Sequence, residues 1–451
     1  MPIHFDKSFW DNTWTHRNGI NGDLGCAILA AGLGRRLDPL TTRYLPKPMF
    51  PLGGKIPMAE IWVRRMVESG IRGISMNLCV LSETIKRHFQ DGCKFGCSIT
   101  YVEEEQPSGT LGGVCKQALG SKAKRLPGEK SIKLEPFKGS TLIVPSGDIV
   151  SHFGPELLEE MYVIHKRAGA AFTVVLVPVP WERRKDFGTA VLRRPESKKG
   201  IVSKSGRIKE FIEKDPNSPS NLSNASIYMV EVGLLRHLDP LRTEARTDIP
   251  EPFYDFGKHV LPALLGKLPY ISIPKQTILW GIQYNGKWFD VGQKRDYLRV
   301  NECLLNGELN VPLPYEKLPW GYLGTDVAIE FGKVKIVPPV VIGNNCIIEA
   351  GATIGPYAVV GDGWIIEKGA TVRNSVLWEP YPCFDDTGKE DSPTKRRLVD
   401  RHEIRRNVTV KESIIAGGTI ESDVIEKTVE VSSDGKLRAL SIDYVPKGPR
   451  T

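Results

Sequence analysis

Two short runs near the start of the chain hold the residue types that handle phosphate. Leu29-Ala30-Ala31-Gly32-Leu33-Gly34 leads directly into Arg35 and Arg36, and Lys47 follows inside Pro46-Lys47-Pro48. Glycines let backbone N–H groups approach an anion closely, and a strand feeding such a loop is a recurrent phosphate cradle. Arg36 and Lys47 stand eleven residues apart on a proline-stiffened loop, a spacing that can set two cations on a triphosphate. The Gly-x-Gly by itself is a weak signal, for it has neither the third glycine of a dinucleotide fingerprint nor the Gly-Lys-Ser/Thr of a P-loop. Two carboxylates, Asp148 and Asp290, lie far apart in sequence, each at the end of an expected strand. Taken singly, a strand-end Asp is usually a cap or turn residue.

The elements that must position these residues alternate. Apolar runs predict strands at Cys26–Ala31, Ile71–Val80, Ser98–Glu103, Ser140–Val144, Ala171–Val179, Ile208–Ile212 and Asn224–Val230. Helical spacing falls between or beyond them at Ala59–Ser69, Glu83–Gln90, Gly112–Leu119, Pro155–Lys166, Tyr254–Leu265 and Arg295–Leu305. Strand and helix in alternation predict a mostly parallel sheet covered on both faces.

Beyond the prolines at 312, 314 and 319 the period changes to six. Ile342, Ile348, Ile354, Val360, Ile366 and Val372 recur at that interval, and four positions after each come Cys346, Ala352, Ala358, Trp364, Ala370 and Val376. Such a repeat predicts a parallel β-helix of triangular section, one aliphatic side chain pointing inward per face and a small residue near each corner. Trp364 is the imperfect fit. Val410-Lys-Glu-Ser-Ile414-Ile415 echoes Val372-Arg-Asn-Ser-Val376-Leu377 after a polar excursion at 379–403. The reading is therefore an N-terminal extension at 1–24, an α/β domain at 25–310, a linker at 311–330, the β-helix at 331–431 and a tail at 432–451.

Composition narrows the classes. The chain has 451 residues, 41% hydrophobic and 25% charged, with a net charge of +8, which favours anionic partners. The basic clusters sit apart without a nucleic-acid module, so no nucleic acid is expected. The longest apolar run, 168–177, is about half a membrane span, and eight scattered cysteines point to reduced thiols; a cytoplasmic protein with no membrane partner is expected. No His lies between His259 and His402, so an acyltransferase activity of the β-helix lacks its base.

With these motifs in order, residues 26–310 resemble the sugar nucleotidyltransferases, which join a nucleoside triphosphate to a sugar 1-phosphate. The resemblance rests on Leu29–Thr41 with Pro46-Lys47-Pro48, and on Pro107-Ser-Gly109-Thr110-Leu-Gly112, Ser146-Gly147-Asp148, Phe187-Gly188-Thr189, Phe211-Ile-Glu213-Lys214, Asn221, Asn224 and Trp288–Gly292. It implies a Rossmann-like mixed, mostly parallel α/β sheet, followed by a left-handed parallel β-helix. It implies nucleotide binding by Leu29, Ala30, Ala31, Gly32, Gly34, Gln106, Gly109 and Thr110. Gly188, Glu213, Lys214, Asn221 and Asn224 would hold the sugar phosphate. Asp148 and Asp290 would hold Mg2+, with Arg36 and Lys47 stabilising the leaving pyrophosphate. Arg35 stands where the family usually has a small hydroxyl residue, and Ser226 where Gly is common.

The completeness of the charged set favours an active enzyme over a non-catalytic, regulatory nucleotide-sugar-binding homologue. Glu103, Glu104, Glu105 and Gln106 precede the expected base-binding turn: a carboxylate suits guanine, and an amide suits uracil, thymine or adenine. The run Pro-x-Gly-Thr-x-Gly resembles most the mannose-1-phosphate guanylyltransferases, implying GTP and mannose 1-phosphate; glucose 1-phosphate with UTP, dTTP or ATP stays open. A homo-oligomer built through the β-helix is expected, and removal of residues after about 330 is expected to alter assembly or regulation more than chemistry.

Overall fold

The computed structural model describes residues 22–120, 122–123, 132–133, 135–197, 202–243, 254–268, 271–379, 402–431 and 437–443. Nearly all of the 1–24 extension, most of the 379–403 excursion and much of the 432–451 tail fall outside those residues. Two compact units divide the chain: residues 1–32 with 62–288, and residues 33–61 with 289–451.

The first unit is built on nine strands, β1 Leu24–Leu29, β2 Gly73–Leu78, β3 Ser98–Glu103, β4 Thr141–Pro145, β5 Phe172–Pro178, β6 Gly188–Ser197, β7 Val202–Glu213, β8 Leu222–Glu231 and β9 Leu279–Tyr284. They form one mixed sheet in the order β5-β9-β7-β6-β8-β4-β1-β2-β3. β1 runs parallel to β2 and β4, and β2 parallel to β3. β8 turns the sheet antiparallel against β4, and β6 and β7 pair antiparallel. The parallel strands are covered on both faces; all six residues of β2 are buried.

Helices α1 Ser82–Phe89, α2 Gly109–Ala118, α3 Pro155–Arg167 and α4 Val232–Thr243 belong to this unit. One core joins Leu111, Val114 and Cys115 of α2 and Leu235 and Leu238 of α4 to Ala27, Leu142 and Val144 of the sheet. The expected helix over 254–265 is a π-helical turn, Phe256–Val260, running into Leu261–Leu264, with the Asp255 carboxylate accepting from the Lys258 N–H at its start. β6, β9 and α4 were not expected from the sequence. β9 is the short LWGIQY, whose central glycine breaks the apolar run, and α4 contains Pro240.

In the second unit, short parallel strands stack as three sheets. Ile342 pairs with Val360, Ile348 with Ile366 and Ile354 with Val372, each eighteen residues on, which is three six-residue steps per coil. The six aliphatic positions and the six that follow them are all buried in one core or its margin, Val376 being 1% exposed. Trp364 fits because its indole N–H donates to Trp378 O at 2.8 Å and its ring lies 5.3 Å from that of His402, its register partner. Helix α5, Lys294–Leu305, also lies in this unit and starts with a capping box between Gln293 and Asp296.

Candidate functional site

In the second unit, three of the four expected catalytic side chains gather. Gly34 has φ +63°, and a Cβ there would meet Thr41 Cγ2 at 2.8 Å and Lys47 Cβ at 3.4 Å, so the turn needs glycine. Thr41 Oγ1 donates to Gly34 O at 3.1 Å and to Asp38 Oδ1 at 2.7 Å, which explains the Asp-Pro-Leu-Thr run. Lys47 opens a short 3-10 turn and is buried. Its ammonium stands 3.4 Å from Asp290 Oδ1, whose side chain keeps 25% exposure. The exposed Arg36 lays its guanidinium over Gly292, 3.1–3.3 Å from where a Cβ would sit. Two cations thus converge on Asp290 and Gly292, beside a single carboxylate, leaving a net positive locus suited to phosphate.

In the first unit, the chain after β1 is tied to two other elements. Leu29 bridges Ser146 in parallel, and Gly147 N–H donates to Leu29 O at 2.8 Å. Asp148, two residues on and half-buried, accepts from Ser146 Oγ at 2.5 Å. Ala30 and Ala31 are buried, Leu29 is half-buried and Gly32 is exposed, as a loop that offers its backbone to a ligand requires. Ala30 N–H donates to Asn77 Oδ1 at 2.9 Å. Asn77 Nδ2 donates in turn to Glu104 Oε1 at 2.7 Å, and Glu104 Oε2 accepts from Ser108 N at 2.8 Å, from Ser108 Oγ and from Lys116 Nζ at 3.2 Å.

This chain of bonds links the glycine loop to the 107–112 turn. Gly109 has φ +72°, and a Cβ on it would meet Tyr254 O at 2.4 Å. Thr110 Oγ1 accepts from Phe256 N–H at 2.7 Å, so its hydroxyl anchors the turn.

The expected sugar-phosphate residues cluster around β6 and β7. A Cβ on Gly188 would meet Glu213 Oε2 at 2.5 Å, which puts that carboxylate against the turn before β6. Burial raises the Glu213 carboxyl above its ordinary value, with Lys214 pulling the other way from 3.8 Å. Lys214 takes φ +51° and its N–H donates to Phe187 O at 3.1 Å. Both asparagine amides hold neighbouring protein atoms: Asn221 Nδ2 donates to Val179 O at 2.9 Å, and Asn224 Nδ2 to Tyr228 Oη at 2.9 Å. Asn224 Oδ1 also accepts from Ser226 N–H at 3.0 Å, supporting the φ of +57° at Ser226.

Residues 26–307 match the nucleotidyl transferase family. The chain belongs to that family. This nucleotidyl transferase is 31% identical over 360 residues to the UTP--glucose-1-phosphate uridylyltransferase of Synechocystis sp. (strain ATCC 27184 / PCC 6803 / Kazusa), covering 78% of this chain and 82% of that one. It is 27% identical over 322 residues to the mannose-1-phosphate guanylyltransferase catalytic subunit beta of Danio rerio, covering 71% and 73% of the two chains. A glucose-1-phosphate adenylyltransferase of Thermotoga neapolitana is 28% identical over 305 residues, covering 65% of this chain and 62% of its own. The matched relatives are thus named for three different bases.

Asn77 and Glu104 are the residues of this nucleotidyl transferase that sequence reasoning missed as framework. Asn77 follows four apolar or small residues in β2, and only an amide or acid inside a buried parallel strand could have flagged it. Glu104 stood among three other candidates for the base. For a metal ion, the oxygen donors of Asp148 and Asp290 are hard ligands of the kind Mg2+ takes. Among the described residues no group of three or more His, Cys, Asp or Glu side chains forms a metal cage. One or two carboxylates supplemented by phosphate oxygens and water is the usual magnesium arrangement. No helix of the described residues is long and apolar enough to cross a membrane.

Proposed function

We propose that this nucleotidyl transferase transfers a nucleotidyl group from a nucleoside triphosphate to a sugar 1-phosphate, releasing pyrophosphate. The observation that carries the reading is the convergence of Arg36, Lys47 and Asp290 within one unit. In-line attack on the α-phosphate needs anions brought together and leaving-group charge neutralised, with no covalent enzyme intermediate. Arg36 and Lys47 take the β- and γ-phosphates. The Gly32 loop offers backbone N–H groups to a nucleotide, Lys214 holds the sugar phosphate, and Glu213 accepts from sugar hydroxyls. Asp148 and Asp290, each on its own unit, are the proposed magnesium carboxylates, and magnesium supplies charge neutralisation when bound. Seven free cysteines among the described residues support a cytoplasmic setting.

For the base, the geometry favours an amide reader. Glu104 is enclosed by Asn77, Ser108 and Lys116, and Glu103 accepts from Lys86 Nζ at 2.6 Å, so both carboxylates are engaged within the protein. Gln106 is exposed immediately before the turn, and an amide, donor and acceptor at once, suits uracil. UTP is therefore the proposed nucleotide, with glucose 1-phosphate as sugar on the strength of the uridylyltransferase relative. GTP with mannose 1-phosphate is the second reading, favoured by the exposed carboxylate of Glu105 and by the guanylyltransferase relative.

The test is pyrophosphate release with magnesium over five nucleoside triphosphates crossed with mannose, glucose, galactose and N-acetylglucosamine 1-phosphates. UTP preferred by wild type, and a shift toward GTP in Gln106→Glu, is the expected result. GTP preferred by wild type refutes the amide reading, and no turnover in any combination refutes the enzyme.

A further inference from the structure

The segment that carries Arg36 and Lys47 belongs to the same compact unit as the β-helix, and it is fastened to the first coils of that helix by two independent sets of contacts. The first is aromatic. Phe50, one residue past the Lys47–Met49 turn and fully buried, packs edge-on against Tyr297 at 5.3 Å and Trp378 at 4.9 Å. Tyr297 Oη donates to Pro51 O at 2.5 Å and accepts from the Trp378 indole N–H at 3.0 Å. Trp378 directly follows the Val376–Leu377 strand of the β-helix.

The second set is ionic. Pro51–Leu52 and Ile56–Pro57 make a small hairpin, whose tip holds Gly53, Gly54 and Lys55. Gly53 N–H donates to Asn301 Oδ1 at 2.8 Å. Gly54 lies so close to the coil that a Cβ on it would stand 3.2 Å from Val359 and 3.4 Å from the Gly361 Cα. Lys55 Nζ bonds Asp362 at 2.8 Å and Glu379 at 2.5 Å, carboxylates from successive coils, and Tyr315 Oη donates to Asp362 at 3.0 Å. Burial works against the Lys55 charge, but its two carboxylate partners outweigh it and hold its pKa above the ordinary value.

We infer that the β-helix is the seat of the cationic loop, with Lys55, Asp362, Glu379 and Trp378 as positioning residues that fix where Lys47 and Arg36 stand. Pro48, Met49, Phe50, Pro51 and Leu52, between Lys47 and the hairpin tip, are all buried, so a shift at the tip has no slack in which to dissipate before it reaches Lys47. This runs against the expectation that the β-helix bears on assembly or regulation more than on chemistry. It rests on the proposed triphosphate role of Arg36 and Lys47, and the experiment separates the two.

Full-length Lys47→Met, Lys55→Met, Lys55→Arg and Glu379→Gln variants are assayed with triphosphate and sugar 1-phosphate varied in turn, using the substrate pair wild type prefers. Lys47→Met is expected to lose at least about a hundredfold in turnover. Lys55→Met is expected to lose about tenfold in kcat/KM for the triphosphate, with the KM for sugar 1-phosphate within about twofold and an unchanged circular dichroism spectrum. Lys55→Arg, which keeps the charge, is expected to restore most of that loss. Glu379→Gln leaves the Asp362 bond in place and is the gentler variant should Lys55→Met not fold; about threefold in the same parameter is expected. Wild-type kinetics in Lys55→Met or in a folded Glu379→Gln, beside an inactive Lys47→Met, overturns the positioning role alone. Equal losses toward both substrates show a merely structural role and also overturn it. Full turnover in Lys47→Met overturns the underlying reading of the loop.

Discussion

Asn77 is 3% exposed and its amide is engaged at both ends, accepting from Ala30 N–H at 2.9 Å and donating to Glu104 at 2.7 Å. Truncation in Asn77→Ala orphans two groups at once. Ala30 is itself 4% exposed, so its N–H loses a partner where water does not readily replace it, which costs about 1–3 kcal/mol. Glu104 loses one of its donors but keeps Ser108 and Lys116; a bond to a charged acceptor contributes about 1.5–3 kcal/mol. The sum is about 2.5–6 kcal/mol, and at roughly 2–4 °C per kcal/mol the thermal midpoint should fall by about 5–24 °C. Since the same amide ties the glycine loop to the base turn, the KM for triphosphate should rise about tenfold while that for sugar phosphate changes little. Asn77→Asp sharpens the test, because it keeps the acceptor for Ala30 but sets a second carboxylate against Glu104. It should be the worse variant at pH 8 and recover in part as the pH is lowered. Differential scanning calorimetry and steady-state kinetics on the three proteins decide the matter. An Asn77→Ala protein that melts and binds triphosphate like wild type would refute the reasoning.

Asp148→Asn and Asp290→Asn should each lower turnover at least about a hundredfold, as expected for removal of a magnesium ligand. Near-normal turnover in either, measured by pyrophosphate release at saturating magnesium, removes that residue from the metal site. Acid stability should depend on Asp23. Burial opposes its ionisation, but hydrogen bonds from Ser140, Lys166 and Tyr162 prevail and lower its pKa to about 2 from 3.8. A depressed carboxylate stabilises the fold fully above its unfolded value and loses that contribution as the pH falls through the folded one. The thermal midpoint should therefore drop between about pH 4 and pH 2, and Lys166→Met should flatten that drop; parallel curves for the two proteins would sink the assignment.

The legible parts of this chain were those whose signals are local or periodic. A six-residue spacing of aliphatics cannot be produced by a helix or an ordinary strand, so Ile342 to Val372 announced the β-helix, and even Trp364 was misfit only in size, its indole taking up room beside His402. Asp290 and Lys47 were recognisable by motif, but their 3.4 Å approach across 243 positions is a property of the fold. β9 and α4 were missed because Gly281 and Pro240 interrupt patterns that tertiary packing restores. The fate of Glu103 and Glu104 was hidden for a different reason. Adjacent acids where a strand ends point to opposite faces, and which of them meets Lys86 or Asn77 depends on partners that no spacing rule names.

The β-helix also keeps its register across an interruption. Trp364 pairs with His402, thirty-eight residues on, where Ile348 pairs with Ile366, eighteen residues on, and the strands on both sides remain parallel. Closing a longer loop grows only logarithmically in cost, about 0.6 kcal/mol for each doubling of its length. The stretch just past Glu379 is accordingly a natural splice point, where a fluorescent reporter or a binding module could be grafted into the chain and the coils above and below it would still stack in register.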